Sequence, residues 1–157
     1  MNEWLIFLRR ILRFPQRVIT NVRLLLYFLF AVCIFGALGA WIPAGQVWFG
    51  VAGVTALSVH RNIATYVIAI VVTALADCIV RKRDEDDGAF RLFVLCITAL
   101  AVIFAIVSLL VNNLQHVHRY SIGGAILAGL VWLMVNDAHP DLTGGSAYYA
   151  IGGENPN

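Results

Sequence analysis

Nine of the eleven Lys and Arg residues fall in two stretches, 1–23 and 81–91, and long apolar runs fill the rest of the chain. That distribution draws a membrane topology. Cations are retained on the cytoplasmic side of a bilayer, whereas roughly 20 consecutive apolar residues cross its hydrocarbon. Four such runs can be marked, at about 24–41, 63–80, 92–111 and 120–135. The expected architecture is an all-α integral membrane protein with three parts. A basic amphipathic interfacial helix occupies 1–23, a domain of four transmembrane helices occupies 24–136, and a flexible cytoplasmic tail rich in Gly, Pro, Asn and Asp occupies 137–157. An apolar content of 61% against 13% charged residues excludes an average soluble domain. The segments outside the spans are too short to bury a core of their own.

The basic residues also set the orientation. Five precede the first run, Arg61 stands alone after it, Arg81, Lys82, Arg83 and Arg91 flank the next connection, and Arg119 stands alone after the third run. Nine against two places both termini in the cytoplasm, in a multi-pass protein of the inner (plasma) membrane. Arg9, Arg10, Arg13, Arg17 and Arg23 interrupt any apolar core of a cleavable signal, so the first span is expected to stay as an anchor. Within the first segment Trp4, Leu5, Phe7, Leu8, Ile11, Leu12 and Phe14 share half of a helical wheel. Arg9, Arg10, Arg13 and Arg17 take the other half, as in a helix lying on a membrane surface. Pro15 is expected to kink or end that helix. The outward stretch 42–60 is apolar for a loop and reads as a re-entrant or interfacial segment, with Trp41 and Trp48 at headgroup level.

Three of the spans carry small or polar stripes. Thr65, Ala69, Thr73 and Asp77 recur every four residues in the second, and Thr98, Ala101, Ala105, Ser108 and Asn112 mark one face of the third. In the fourth, Ser121, Gly124, Ala125, Ala128 and Gly129 form a doubled small-xxx-small face, the arrangement that lets helices or subunits approach closely. We assign these five to subunit packing, and Thr65, Thr73 and Asp77 to intramembrane polar positions. Asp77 pairs most simply with Arg81 one turn later. Asp84, Glu85, Asp86 and Asp87 precede the third span, where they complement a helix N-terminus and also offer a docking point for a protein partner. Tyr148 and Tyr149 anchor the tail in the way a short docking peptide would.

Cys33, Cys78 and Cys96 lie in or beside spans and never as a Cys-x-x-Cys pair, so a disulfide relay is not expected. Net charge +2 is accounted for by lipid-facing cations and argues against direct nucleic-acid binding. His60, His116 and His118 would lie at the outward end, enough imidazoles for a zinc or copper ion or for sensing acidity. Two histidines at i, i+2 diverge on a helix, so no metal and no cofactor is expected. No Ser/His/Asp order, paired intramembrane carboxylates or phosphate loop supports an enzyme.

The basic amphipathic start from Arg9-Arg10 to Arg23, the Arg81 to Gly88 loop and the small-residue faces resemble the KwaA membrane subunits of Kiwa anti-phage defence systems. The resemblance covers the layout from about 1 to 136 and carries over no functional residue. It implies a homo-oligomeric inner-membrane protein that senses phage at the envelope and binds a cytosolic DNA-binding partner, KwaB. The residues thus point to an oligomeric membrane anchor and sensor that recruits a soluble effector. The alternative is a small oligomeric channel lined by the polar stripes.

Overall fold

A computed structural model describes residues 3–80 and 88–137. The described residues are helical apart from short connections, with no strand among them. In chain order they form α1 (Glu3–Thr20), α2 (Val22–Tyr27), a π-helix (Phe28–Gly36), α3 (Leu38–Trp48), α4 (Ala56–Val80), α5 (Gly88–Leu110) and α6 (Leu114–Asn136). Three segments, Ala56–Asp77, Gly88–Leu110 and Leu114–Asn136, are long and apolar enough to cross a membrane. The N-terminal half departs from a single straight span. The helix Val22–Gly36 meets α1 at a bend of 76°, and the chain breaks at Ala37 before α3 begins.

Helix boundaries follow caps more closely than hydropathy. α4 starts at Ala56 rather than at 63, because Thr55 and Ser58 cap it reciprocally: the Ser58 amide donates to Thr55 Oγ1 and the Thr55 amide donates to Ser58 Oγ, each at 3.3 Å. α6 starts at Leu114 rather than at 120, capped by Asn113, whose Oδ1 accepts from the Gln115 amide at 3.0 Å. The last span is therefore 23 residues long, not about 16. The expected outward loop 42–60 shrinks to residues 49–55, since α3 takes up its beginning and α4 its end. α3 closes with the Val51 amide donating to the Gln46 carbonyl and the Gly50 amide to the Val47 carbonyl. This double closure needs a left-handed residue, and Gly50 supplies it at φ +69°. Pro15 does not end α1, which continues to Thr20. The position is exposed, so the carbonyl freed by the missing N–H can be hydrated.

α6 packs against both α4 and α5, and α4 packs against α5, so these three form the body of the bundle. Its interior is built from small side chains: Ala64, Ala74, Ala101, Ala105, Ala128, Ser108 and Ser121 are fully buried beside Val67, Val71, Val117 and Val131. The outward faces carry Val72, Leu92, Leu95, Ile103, Ile106, Leu110, Ile126 and Leu130. A soluble domain reverses that order. In lipid an exposed Leu costs nothing, and small residues are what allow backbones to close.

The N-terminal segment runs along this body from one end toward the other. Phe7 packs edge-on against Phe93 near the start of α5 (ring centroids 5.5 Å), and Arg17 reaches Asp137 at the end of α6 (3.6 Å). Tyr27 and Phe28 then meet Trp132 (5.8 and 5.6 Å), with Phe28 seated over Gly129. Higher still, the Tyr66 hydroxyl donates to the Val32 carbonyl. Residues 17–36 thus travel antiparallel to α6, from its C-terminal end to the N-terminal half of α4.

The Arg17 side chain is 52% exposed and that of Asp137 7%, so solvent weakens the pair. Arg17→Gln or Asp137→Asn is expected to cost no more than about 1 kcal/mol of thermal stability in detergent, and the charge-swapped double variant is expected to recover it.

Candidate functional site

The densest polar cluster among the described residues lies where α4 and α6 begin. Their caps place His60 in the second turn of α4 and His118 in the second turn of α6, so the two imidazoles meet across the helix pair. His118 Nδ1 lies 3.3 Å from His60 Nε2, with the rings nearly perpendicular, and His60 Nδ1 lies 3.0 Å from Ser121 Oγ. Ser121 Oγ is also 3.2 Å from the His118 carbonyl.

A carbonyl can only accept, so the single Ser121 hydroxyl proton goes to the His118 carbonyl. Ser121 Oγ then accepts from His60 Nδ1–H, which leaves a lone pair on His60 Nε2. His118 Nδ1–H donates to that lone pair. The result is a closed relay that runs from His118 Nδ1 through His60 and Ser121 to the His118 carbonyl. Beside it, the Arg61 guanidinium donates to Asn112 Oδ1 at 2.9 Å, fastening the start of α4 to the α5–α6 connection. Deeper, Ser108 Oγ donates to the Val117 carbonyl at 3.4 Å and is fully buried.

A second polar device caps the helix break. The π-helix ends at Gly36, and two carbonyls of its last turn receive side-chain donors. Tyr66 Oη serves Val32, and Trp41 Nε1 serves Cys33 at 2.8 Å. Non-helical backbone survives at membrane depth when such groups are satisfied by protein.

The residues singled out from the sequence fall into three groups. Ser121, Gly124, Ala128 and Gly129 are buried and Ala125 half-buried within one chain. A Cβ on Gly124 would touch Phe104, Ala101 and Val67, and one on Gly129 would touch Phe28, so their packing is accounted for without a second subunit. Thr65, Ala69 and Thr73 lie on the exposed face of α4. The two threonine hydroxyls bond back to the Arg61 and Ile70 carbonyls of their own helix, at 3.1 and 2.8 Å. Asp77 is half-buried, and its expected partner Arg81 lies outside the described residues.

Arg9, Arg13 and Arg17 are exposed on α1, while the side chain of Arg10 lies outside the described residues. So do Asp84, Glu85, Asp86, Asp87, Tyr148 and Tyr149. His116 is exposed two residues before His118 on the same helix and does not join the His60–His118 pair. Among the described residues no group of three His, Cys, Asp or Glu side chains could hold a metal ion. Tyr66 was not legible as a functional position in the sequence, and Asn112 and Trp41 were read as a stripe residue and a headgroup-level aromatic rather than as the partners of Arg61 and of the Cys33 carbonyl. Asn113 and Thr55 carried a detectable signal, a cap residue just ahead of a helical stretch.

No protein family, curated protein or solved structure matches the chain.

Proposed function

We propose that the protein is a non-enzymatic membrane anchor and sensor that holds a soluble cytosolic effector at one end of a four-crossing bundle. The observation that carries this reading is the meeting of the basic helix α1 with the two helix ends that adjoin the acidic connection and the tail. The Phe7–Phe93 and Arg17–Asp137 contacts bring together α1, the start of α5 and the end of α6. In sequence the acidic connection 84–87 directly precedes the start of α5 and the tail 138–157 directly follows the end of α6. In this reading the crossing expected at 24–41 follows the 76° bend between α1 and Val22–Gly36, which lets α1 lie along the inner leaflet with Arg9, Arg13 and Arg17 toward headgroups. Both termini are then cytoplasmic, in the inner membrane.

Under the KwaA resemblance the effector is a KwaB-like DNA-binding protein and the setting is anti-phage defence. In a homo-oligomer, the exposed row Thr65, Ala69 and Thr73 is the face of α4 left to meet a second copy.

Affinity purification of the tagged chain in mild detergent from its native host is expected to bring down a stoichiometric soluble protein. Removing residues 138–157 together with Asp84→Asn, Glu85→Gln, Asp86→Asn and Asp87→Asn is expected to lower its recovery at least tenfold while the chain stays inserted. Full recovery after both changes would sink the docking reading. One observation supports the channel alternative: Thr65 and Thr73 are exposed, as polar positions lining a path between subunits would be. Ion flux through liposomes holding the purified chain decides it, and no flux removes the pore.

A further inference from the structure

We propose that the His60–Ser121–His118 relay is an acid-operated latch: neutral, it ties the start of α4 to the start of α6, and protonation of both imidazoles releases it. The latch needs the geometry of one chain only. It goes beyond the anchor reading by supplying a stimulus, and it does not depend on any partner.

The bonding pattern makes the latch sensitive to two protons rather than one. His118 has one nitrogen outside the relay, Nε2, and a proton placed there leaves His118 Nδ1–H donating to His60 Nε2. A proton on His60 alone goes to Nε2, because Nδ1 already carries the hydrogen given to Ser121, and a neutral His118 then carries its own hydrogen on Nε2 and accepts at Nδ1, so the contact survives. With both rings protonated, two N–H groups face each other at 3.3 Å, each on a cation, and the contact cannot persist.

The surroundings supply no counter-charge. No Asp or Glu occurs between Glu3 and Asp77 or between Asp87 and Asp137, so neither helix brings a carboxylate to this end. The ionisable groups near the pair on its own helices are Arg61, His116, Arg119 and Tyr120. α3, which packs on α4, contains no ionisable side chain, and neither do the last ten residues of α5. Arg61 is held nearby through Asn112. Both helices also point their N-termini, the positive ends of their dipoles, toward this cluster.

Release has a built-in consequence. Ser121 is fully buried behind the histidines and sits directly above the close-packed Gly124 and Ala128, so parting the imidazoles opens the top of the α4–α6 seam. Helix shifts of about 1–2 Å are the usual scale of such switching.

The test uses the full chain in lipid nanodiscs, with Cys33, Cys78 and Cys96 changed to alanine and spin labels at the exposed positions Asn62 and Gln115. Pulsed electron–electron distances are measured between pH 8 and pH 4.5. Acidification is expected to lengthen the distance by about 1–2 Å, with a pH slope steeper than one proton. His60→Gln, which keeps polar atoms but does not titrate, is expected to abolish the response, and His118→Gln is expected to do the same. Nitrogen-15 spectra of the histidine-labelled wild-type chain at pH 8 are expected to show protonated Nδ1 in both His60 and His118. A distance that does not change with pH would overturn the latch. So would an unchanged response in both variants, or His60 protonated on Nε2 at pH 8. Full partner recovery in the purification experiment, which would sink the docking reading, leaves all of these readings untouched and keeps the two proposals separable.

Discussion

Gly36→Ala is expected to be among the most damaging single-methyl additions in this protein. A Cβ at that position would lie 2.6 Å from Tyr66 Oη and 2.9 Å from the Ala31 carbonyl. The second contact is with backbone, so it cannot be relieved by rotating a side chain. It arises from the π-helix, whose wider turn brings the carbonyl five residues back beside Gly36. The first contact displaces the Tyr66 hydroxyl from the Val32 carbonyl and leaves an acceptor without its donor inside the membrane domain.

A loss of about 1–3 kcal/mol follows, read as a lowered unfolding temperature in detergent or as earlier unfolding in a denaturing detergent titration. Tyr66→Phe removes the same hydrogen bond without the clash and is expected to cost about 1 kcal/mol, the range found for polar contacts between membrane helices. The double variant should be less harmful than the sum, because the hydroxyl contact can be lost only once. Gly39→Ala is the control. Nothing lies within 4 Å of the place its Cβ would take in α3, and the helix gains up to about 1 kcal/mol of propensity. Equal loss at Gly36 and Gly39 would refute the packing argument.

Gly124→Leu is expected to open the centre of the bundle. The position faces two helices at once, with Phe104 Cβ at 3.4 Å and the Ala101 carbonyl at 3.5 Å from α5, and Val67 Cγ1 at 3.6 Å from α4. One methyl fits at those distances as an ordinary contact, so Gly124→Ala should be neutral or stabilising by up to about 1 kcal/mol. Three further carbons have no room, because Val67 and Ala101 are themselves fully buried. Overpacking here is expected to cost about 3 kcal/mol, and the chain should lose its sharp thermal transition while keeping its helix content by circular dichroism. If leucine is tolerated as well as alanine, α6 does not pack in this seam.

Much of the scaffold is legible from the residues. Hydropathy located α4, α5 and α6, since a bilayer demands long apolar helices and little else produces runs such as 92–111. Boundaries were less legible where polar residues join a span. His60, Arg61, His116 and Arg119 lower the hydropathy at the starts of α4 and α6, so hydropathy places those starts too late, whereas Thr55 and Asn113 mark where the backbone turns helical. Of the kink or end expected at Pro15, the end does not occur, because a proline on an exposed helical face leaves its orphaned carbonyl to solvent.

The candidate site was legible as a set of residues and not as an arrangement. His60, His116 and His118 could be named as outward histidines, but which of them meet depends on the rotation of α6 against α4. That rotation is set by neighbours far apart in sequence, such as the Ser121 and His60 pair, 61 positions apart. The small-residue face of α6 shows the same limit. Ser121, Gly124, Ala128 and Gly129 announce that something approaches closely, and periodicity cannot say whether it is another subunit or, as the packing has it, Phe104, Val67 and Phe28 of the same chain.

Composition and the order of apolar runs by themselves determined that the chain forms helices long and apolar enough to cross a membrane, because the transfer of apolar helices into lipid depends on local sequence alone. The tertiary structure decided the break at Ala37 with its carbonyls capped by Tyr66 and Trp41, and the pairing of His60 with His118. Those features depend on contacts between groups distant in sequence, whose geometry comes into being only when the helices pack.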